Sequence, residues 1–251
     1  MATTVQRPDS PLAAREAEPR PRGDRFVATG LFLLAALFVA VQLLAGTVIP
    51  PLAVPAVLYA LLGAAVLRWH PRWLLAAVAV LMLVHVVSSL PFLAEALAHP
   101  ETPATFVPDA LIVVVAFVVI VGAVLGLRRG GAARRRPVAV VGAVAAVGVI
   151  TLSALSAAGV ASDARQDGDV PVPAAQAQFP ERVEVAAGGA VLWVDNQDAF
   201  RHTLVVEGTD LHAELPGSTA VRVDTDLAPG TYRYFCDVPG HDGMEGELVA
   251  R

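Results

Sequence analysis

The chain has 251 residues, 55% of them hydrophobic and only 16% charged, with a mean hydropathy of +0.61. Soluble domains carry closer to a quarter charged residues, which argues against a single water-soluble globule. The net charge of −5 is unevenly spread: residues 1–25 carry five Arg against four acids, 26–160 seven against three, and 161–251 six against sixteen. A neutral-to-basic apolar half therefore joins an acidic polar half.

Residues 1–25 are rich in Pro, Arg, Ala and Glu and are expected to form a disordered cytoplasmic tail. They are too long and too acidic for a signal-peptide n-region, so the first apolar run is expected to be a retained anchor. Five stretches follow without any Asp, Glu, Lys or Arg: 26–49, 51–67, 73–93, 110–127 and 138–160. Roughly 17–25 apolar residues suffice for a helix to cross the hydrocarbon core, so residues 26–160 are expected to form about five transmembrane helices. Their Leu/Ala/Val runs lack the alternation of a membrane barrel.

Loop charge sets the expected orientation. Arg15, Arg20, Arg22 and Arg25 precede the first span, Arg68 and Arg72 separate the second from the third, and Arg128, Arg129, Arg134, Arg135 and Arg136 separate the fourth from the fifth. The other two connections contain no basic residue. Five crossings put every basic loop on one side, with the N-terminus cytoplasmic and the C-terminal domain outside. The same bias accounts for the arginines of 128–136 without any nucleic acid. Trp69 and Trp73 suit interfacial anchors, and Gly122, Gly126, Gly142 and Gly148 suit close helix packing. His85 stands inside the third span without a second histidine at similar depth, which gives no support to a bis-histidine haem site.

Residues 161–178 are aperiodic and rich in Pro, Ala, Gln and Asp, the composition of a flexible extracytoplasmic linker. As a coil they would reach on the order of 25 Å. From residue 179 to 251 the pattern changes to short alternating runs at 182–186, 190–195, 202–207, 220–224, 231–236 and 247–250, separated by turn residues such as Gly188-Gly189, Pro216-Gly217, Pro229-Gly230 and Pro239-Gly240. That pattern predicts an all-β sandwich or small barrel.

The candidate chemistry lies in Tyr234-Phe235-Cys236-Asp237-Val238-Pro239-Gly240-His241-Asp242-Gly243-Met244. Within nine residues this segment offers a thiolate, an imidazole and a thioether, and His202 begins an earlier strand. A lone Cys excludes a disulfide framework within the chain. Two His and one Cys in a plane with a weak axial Met make a blue-copper electron-transfer site, because thiolate and thioether suit Cu(I) while imidazole serves both oxidation states.

Residues 177–251 resemble a cupredoxin of the plastocyanin/azurin type. The resemblance rests on Phe179-Pro180, Gly188-Gly189, Trp193 with Asn196, His202-Thr203, Pro229-Gly230-Thr231-Tyr232 and the Tyr-Phe-Cys strand. It does not extend to the apolar half. It implies a Greek-key β-sandwich with one type 1 copper per chain held by His202, Cys236, His241 and Met244, and His241 as the electron port. Cys-x4-His resembles azurin and rusticyanin, whereas His-x2-Met is shorter than theirs and resembles amicyanin in that part. Thr203 stands where plastocyanins and azurins usually have Asn, which alters the hydrogen bonding expected near the Cys sulfur.

Only His212 would remain free in this domain, fewer histidines than a copper nitrite reductase or multicopper oxidase needs, and a binuclear centre of the oxidase subunit II type needs a second Cys. The expected function is therefore membrane-anchored electron transfer by a plastocyanin-like domain on the extracytoplasmic face of a prokaryotic cell membrane, without enzymatic activity. Beside the lipid bilayer, the expected partner is a redox protein or membrane complex, with Asp237 and Asp242 offering a negative rim to a basic docking face. No small-molecule substrate or nucleic acid is implied. The alternative is a copper-binding, copper-delivery or copper-sensing membrane protein, which needs no reversible redox couple.

Overall fold

The computed structural model describes residues 22–44, 48–69, 72–128 and 135–251. Most of the expected tail, and the loop arginines Arg129 and Arg134, lie outside the described residues. Among the described residues six helices come first: α1 (Arg22–Leu44), α2 (Pro50–Trp69), α3 (Arg72–Ser88), α4 (Leu90–Ala98), α5 (Pro103–Leu127) and α6 (Arg135–Ala158). Four of them are long and apolar enough to cross a membrane, or five if the bent pair α3 and α4 is one span.

The helices overrun the uncharged stretches. α1 begins at Arg22, within the expected tail, and α5 begins at Pro103, seven residues before the expected span. A charged residue such as Asp109 bounds an apolar run, but it does not prevent the backbone from continuing its hydrogen-bonded turns. The expected single span at 73–93 is divided: α3 and α4 meet at Ser89 with a 63° bend. Pro91, just past the break, favours a kink there, since it has no N–H to donate and its ring clashes with the carbonyl four residues earlier, although α2 and α5 continue through Pro55 and Pro108.

Leu31, Leu34, Tyr59, Val78, Met82 and Val119 pack in the bundle interior. His85 sits edge-on to the rings of Phe38 and Tyr59, with centroids 5.5 and 5.6 Å away, a packing role among aromatics. Outward faces carry large apolar side chains, including Val140, Val144, Val147 and Leu155 of α6. Such a surface suits lipid and not water.

Eight strands follow: β1 (Val170–Ala174), β2 (Arg182–Val185), β3 (Ala190–Asn196), β4 (His202–Val206), β5 (His212–Leu215), β6 (Ala220–Thr225), β7 (Gly230–Phe235) and β8 (Glu245–Ala250). They form a three-stranded sheet in the order β1-β3-β6 and a five-stranded sheet in the order β2-β8-β7-β4-β5. Alternation buries Leu192, Val194 and Asn196 on β3 and Val183 and Val185 on β2, so the two sheets share one core.

The expected linker is in large part structured. Residues 170–174 pair with 192–196 as β1, and Val172 and Ala174 enter the core. Upstream, the Ser162 hydroxyl accepts the Ala220 N–H, the Asp163 carbonyl accepts the Trp193 indole N–H, and buried Asp169 takes a two-pronged contact from Arg222 at 2.8 and 2.9 Å. These bonds leave little free chain after α6, which ends at Ala158.

Candidate metal centre

Two strand ends and one loop build the site. His202 opens β4, Cys236 directly follows β7, and His241 and Met244 lie on the connection from β7 to β8. Gly240 at φ +91° and Gly243 at φ +96° let that connection fold back on itself. Backbone bonds then tie it down: His241 N–H to the Val238 carbonyl, Met244 N–H to the His241 carbonyl, and Cys236 N–H to the Met244 carbonyl at 2.9 Å.

The ligating atoms of His202, Cys236 and His241 all lie within 4.8 Å of one another. The two Nδ1 atoms are 3.1 Å apart, and Cys236 Sγ stands 3.9 Å from His202 Nδ1 and 3.5 Å from His241 Nδ1. A triangle with these sides has a point about 2 Å from every corner, the length of a bond from a first-row ion to imidazole nitrogen and a little short for thiolate sulfur. Donor types and spacing thus fit a copper ion. Met244 is buried beside this group, at 1% exposure. All four residues singled out in the sequence come together at one end of the sandwich.

A second set of residues orients the first. Asp198 Oδ2 lies 2.9 Å from His202 Nε2, so that nitrogen carries the proton and Nδ1 keeps its lone pair toward the cluster. The Asp198 carboxylate accepts the backbone N–H groups of Gln176 and Ala177 at 2.7 and 2.9 Å. Both donors adopt left-handed backbone, at φ 56° and 54°, an unfavourable conformation that aims two successive N–H groups at one acceptor. The buried Asn196 amide braces the same loop, its Nδ2 within 2.9–3.0 Å of the Phe200, Leu215 and Pro216 carbonyls.

At the sulfur, the Thr203 N–H points to Sγ at 3.4 Å. The Thr203 hydroxyl is 3.6 Å from Sγ but only 2.7 Å from Asp237 Oδ1, and it accepts the Asp237 N–H at 2.9 Å. Its single proton therefore goes to Asp237, and the backbone N–H is the donor to sulfur. Asp237 also faces His212 Nε2 at 3.4 Å, so this half of the expected acidic rim is engaged internally. His212 itself is exposed on β5.

Burial pushes the Cys236 thiol up, but contacts from His202 and His241 and the backbone N–H groups of Thr203 and Val238 outweigh it and bring the pKa down to about 5. Burial likewise opposes the charged form of His202, and its contacts with Cys236 and Asp198 reverse that effect and raise it. A thiol held well below its ordinary pKa offers the thiolate that a soft-metal site needs.

Sequence reasoning missed Asp198, Arg201 and the support from 162–177. Arg201 is 10% exposed, grips Glu214 of β5 at 2.6 and 2.8 Å, and also bonds Glu95 of α4. Asp198 reads as ordinary turn chemistry in the sequence, and Arg201 carries no signal there beyond its place before His202.

Residues 143–250 match the family model for the cupredoxin-like domain. The chain thus carries a cupredoxin-like domain, and the match starts inside α6. Among solved structures, it is similar to a reduced mutant of amicyanin at 24% identity, covering 38% of this chain and 88% of that one with a TM-score of 0.29. It is also similar to the copper-containing nitrite reductase NirK from Thermus scotoductus SA-01 at 24% identity and a TM-score of 0.30. That match covers 37% of this chain and 24% of the reductase, so this chain spans about a quarter of its length.

Proposed function

We propose that this chain is a membrane-anchored type 1 copper protein that carries single electrons between redox partners on the extracytoplasmic face, and that it transforms no substrate. The observation that carries this reading is the triangle of two Nδ1 atoms and one Sγ with sides of 3.1, 3.5 and 3.9 Å. Copper, when bound, supplies a one-electron couple. Cys236, His202, His241 and Met244 would hold it. Asp198 fixes the His202 tautomer, and the Thr203 N–H holds the sulfur in place. Burial of His202, Cys236 and Met244 keeps water from most of the site, so little rearranges when its charge changes.

The disposition of charge supports the orientation. Glu95, which meets the copper domain, follows α3 at the end opposite Arg68 and Arg72. Positive-inside bias then puts the copper domain outside. Copper titration of the full chain, followed by visible absorption and EPR, tests the reading. The expected result is an intense thiolate-to-copper band with narrow hyperfine splitting that is abolished in Cys236→Ser. A weak, band-free Cu(II) spectrum, or tight Cu(I) binding alone, would move the assignment to copper delivery or sensing.

A further inference from the structure

The His241 edge of the copper domain lies against the α4–α5 hairpin. Together with the α4–α5 hairpin it borders a half-open cavity of about 150 Å³, a volume that holds one six-membered aromatic ring. Phe92 and Phe200 supply aromatic walls, Glu95 and Asp109 supply carboxylates, and Pro239 and His241 supply the copper-domain side. Glu95 is already engaged by Arg201 and lies 3.7 Å from His99 Nε2. Asp109 has no hydrogen-bonding or charged partner among the described residues. An unpartnered carboxylate in a mostly apolar, ring-sized space calls for an O–H or N–H donor. The cavity stands where the apolar helices end, and Phe92 is 59% exposed on the outer surface of α4, so a ligand entering from lipid meets it first.

We propose that this cavity binds the ring of a lipid-soluble hydroquinone, with its hydroxyls donating to Asp109 and Glu95 and its ring against the His241 imidazole. As a binding site the cavity is independent of copper; as a route for electrons it rests on the function proposed above. Oxidation of one hydroquinone to the quinone releases two electrons and two protons, so it would reduce two Cu(II) ions in succession, with the protons leaving through Asp109 to water.

The test uses the full chain in detergent, copper-free, titrated calorimetrically with decyl-substituted hydroquinone and with the dimethyl ether of the same compound. The proposal expects saturable binding of the hydroquinone, about tenfold weaker binding of the ether, and a comparable loss for Ala96→Phe, which fills the cavity. Absence of saturable binding, or equal affinity for hydroquinone and ether, overturns it. The ether comparison needs no variant, so it decides the matter even if Ala96→Phe folds poorly. A parallel copper titration of the same preparation separates this outcome from failure of the copper site, because ring binding is read without metal.

Discussion

Arg201 and Glu95, 106 residues apart, form an ion pair that joins the residue preceding His202 to helix α4. The guanidinium also grips Glu214, so one side chain ties the His202 strand, the edge strand β5 and the apolar helices together. Motion of α4 and the position of the first candidate ligand are therefore mechanically linked.

Glu95→Gln should loosen that link without touching the metal site. Because Glu95 is about one-third exposed, the pair is screened and contributes about 1 kcal/mol. Amide exchange at residues 200–203 should accelerate about fivefold, while the copper spectrum stays as in the parent. Unchanged exchange would mean that the contact does not hold the domain to the helices.

Asp198→Ala removes the acceptor that fixes the His202 tautomer. Copper affinity should fall about 10–100-fold, measured by competition with a chelator. The visible band should persist, since the three coplanar donors remain. Loss of the band at saturating copper would show instead that Asp198 is needed for the shape of the site.

In the copper-free protein, the thiolate absorbance of Cys236 should titrate near pH 5 and not near its ordinary value of 9.0. A depressed folded pKa contributes stability that is complete above about 9, shrinks as pH falls, and is gone below about 5. His202 acts in the opposite sense: its raised pKa stabilises fully below about 6.5 and loses effect as pH climbs through its folded value. Copper-free Cys236→Ala should therefore lose the part of the acid-side pH dependence that falls between 9 and 5. A wild-type thiol titrating near 9 would contradict the account of the site's electrostatics.

Asn196→Ala strips the Phe200, Leu215 and Pro216 carbonyls of their shared donor inside the sandwich. Denaturant unfolding should show a loss of about 2–4 kcal/mol, the scale for leaving buried polar groups unpaired. The loop that carries Asp198 and His202 should also exchange faster. A loss below about 1 kcal/mol would mean that solvent reaches those carbonyls.

What could be read from the sequence follows from how locally each feature is encoded. Cys236, His241 and Met244 share one short loop, so their types and spacing identify them; His202 needs only the further recognition of its strand. Apolar runs locate the helices because lipid-facing surfaces are written in composition. Asp198 is different, since its role depends on the N–H groups of Gln176 and Ala177 across the fold. β1 was hidden by its own sequence, Val-Pro-Val-Pro-Ala. Two prolines suit a tether, yet an edge strand tolerates them, and β1 lies at the edge of its sheet. The bend at Ser89 was present in Pro91, but hydropathy alone does not register it.

Electron carriage requires the cluster to take up and release one electron reversibly. Spectroelectrochemistry of the copper-loaded full chain tests it most directly, by following the thiolate-to-copper band while the potential is stepped down and back. The band should bleach and return completely along one curve with the slope of a single-electron couple. A band that fails to form, or that bleaches without returning, would contradict electron carriage and leave a copper-binding protein in its place.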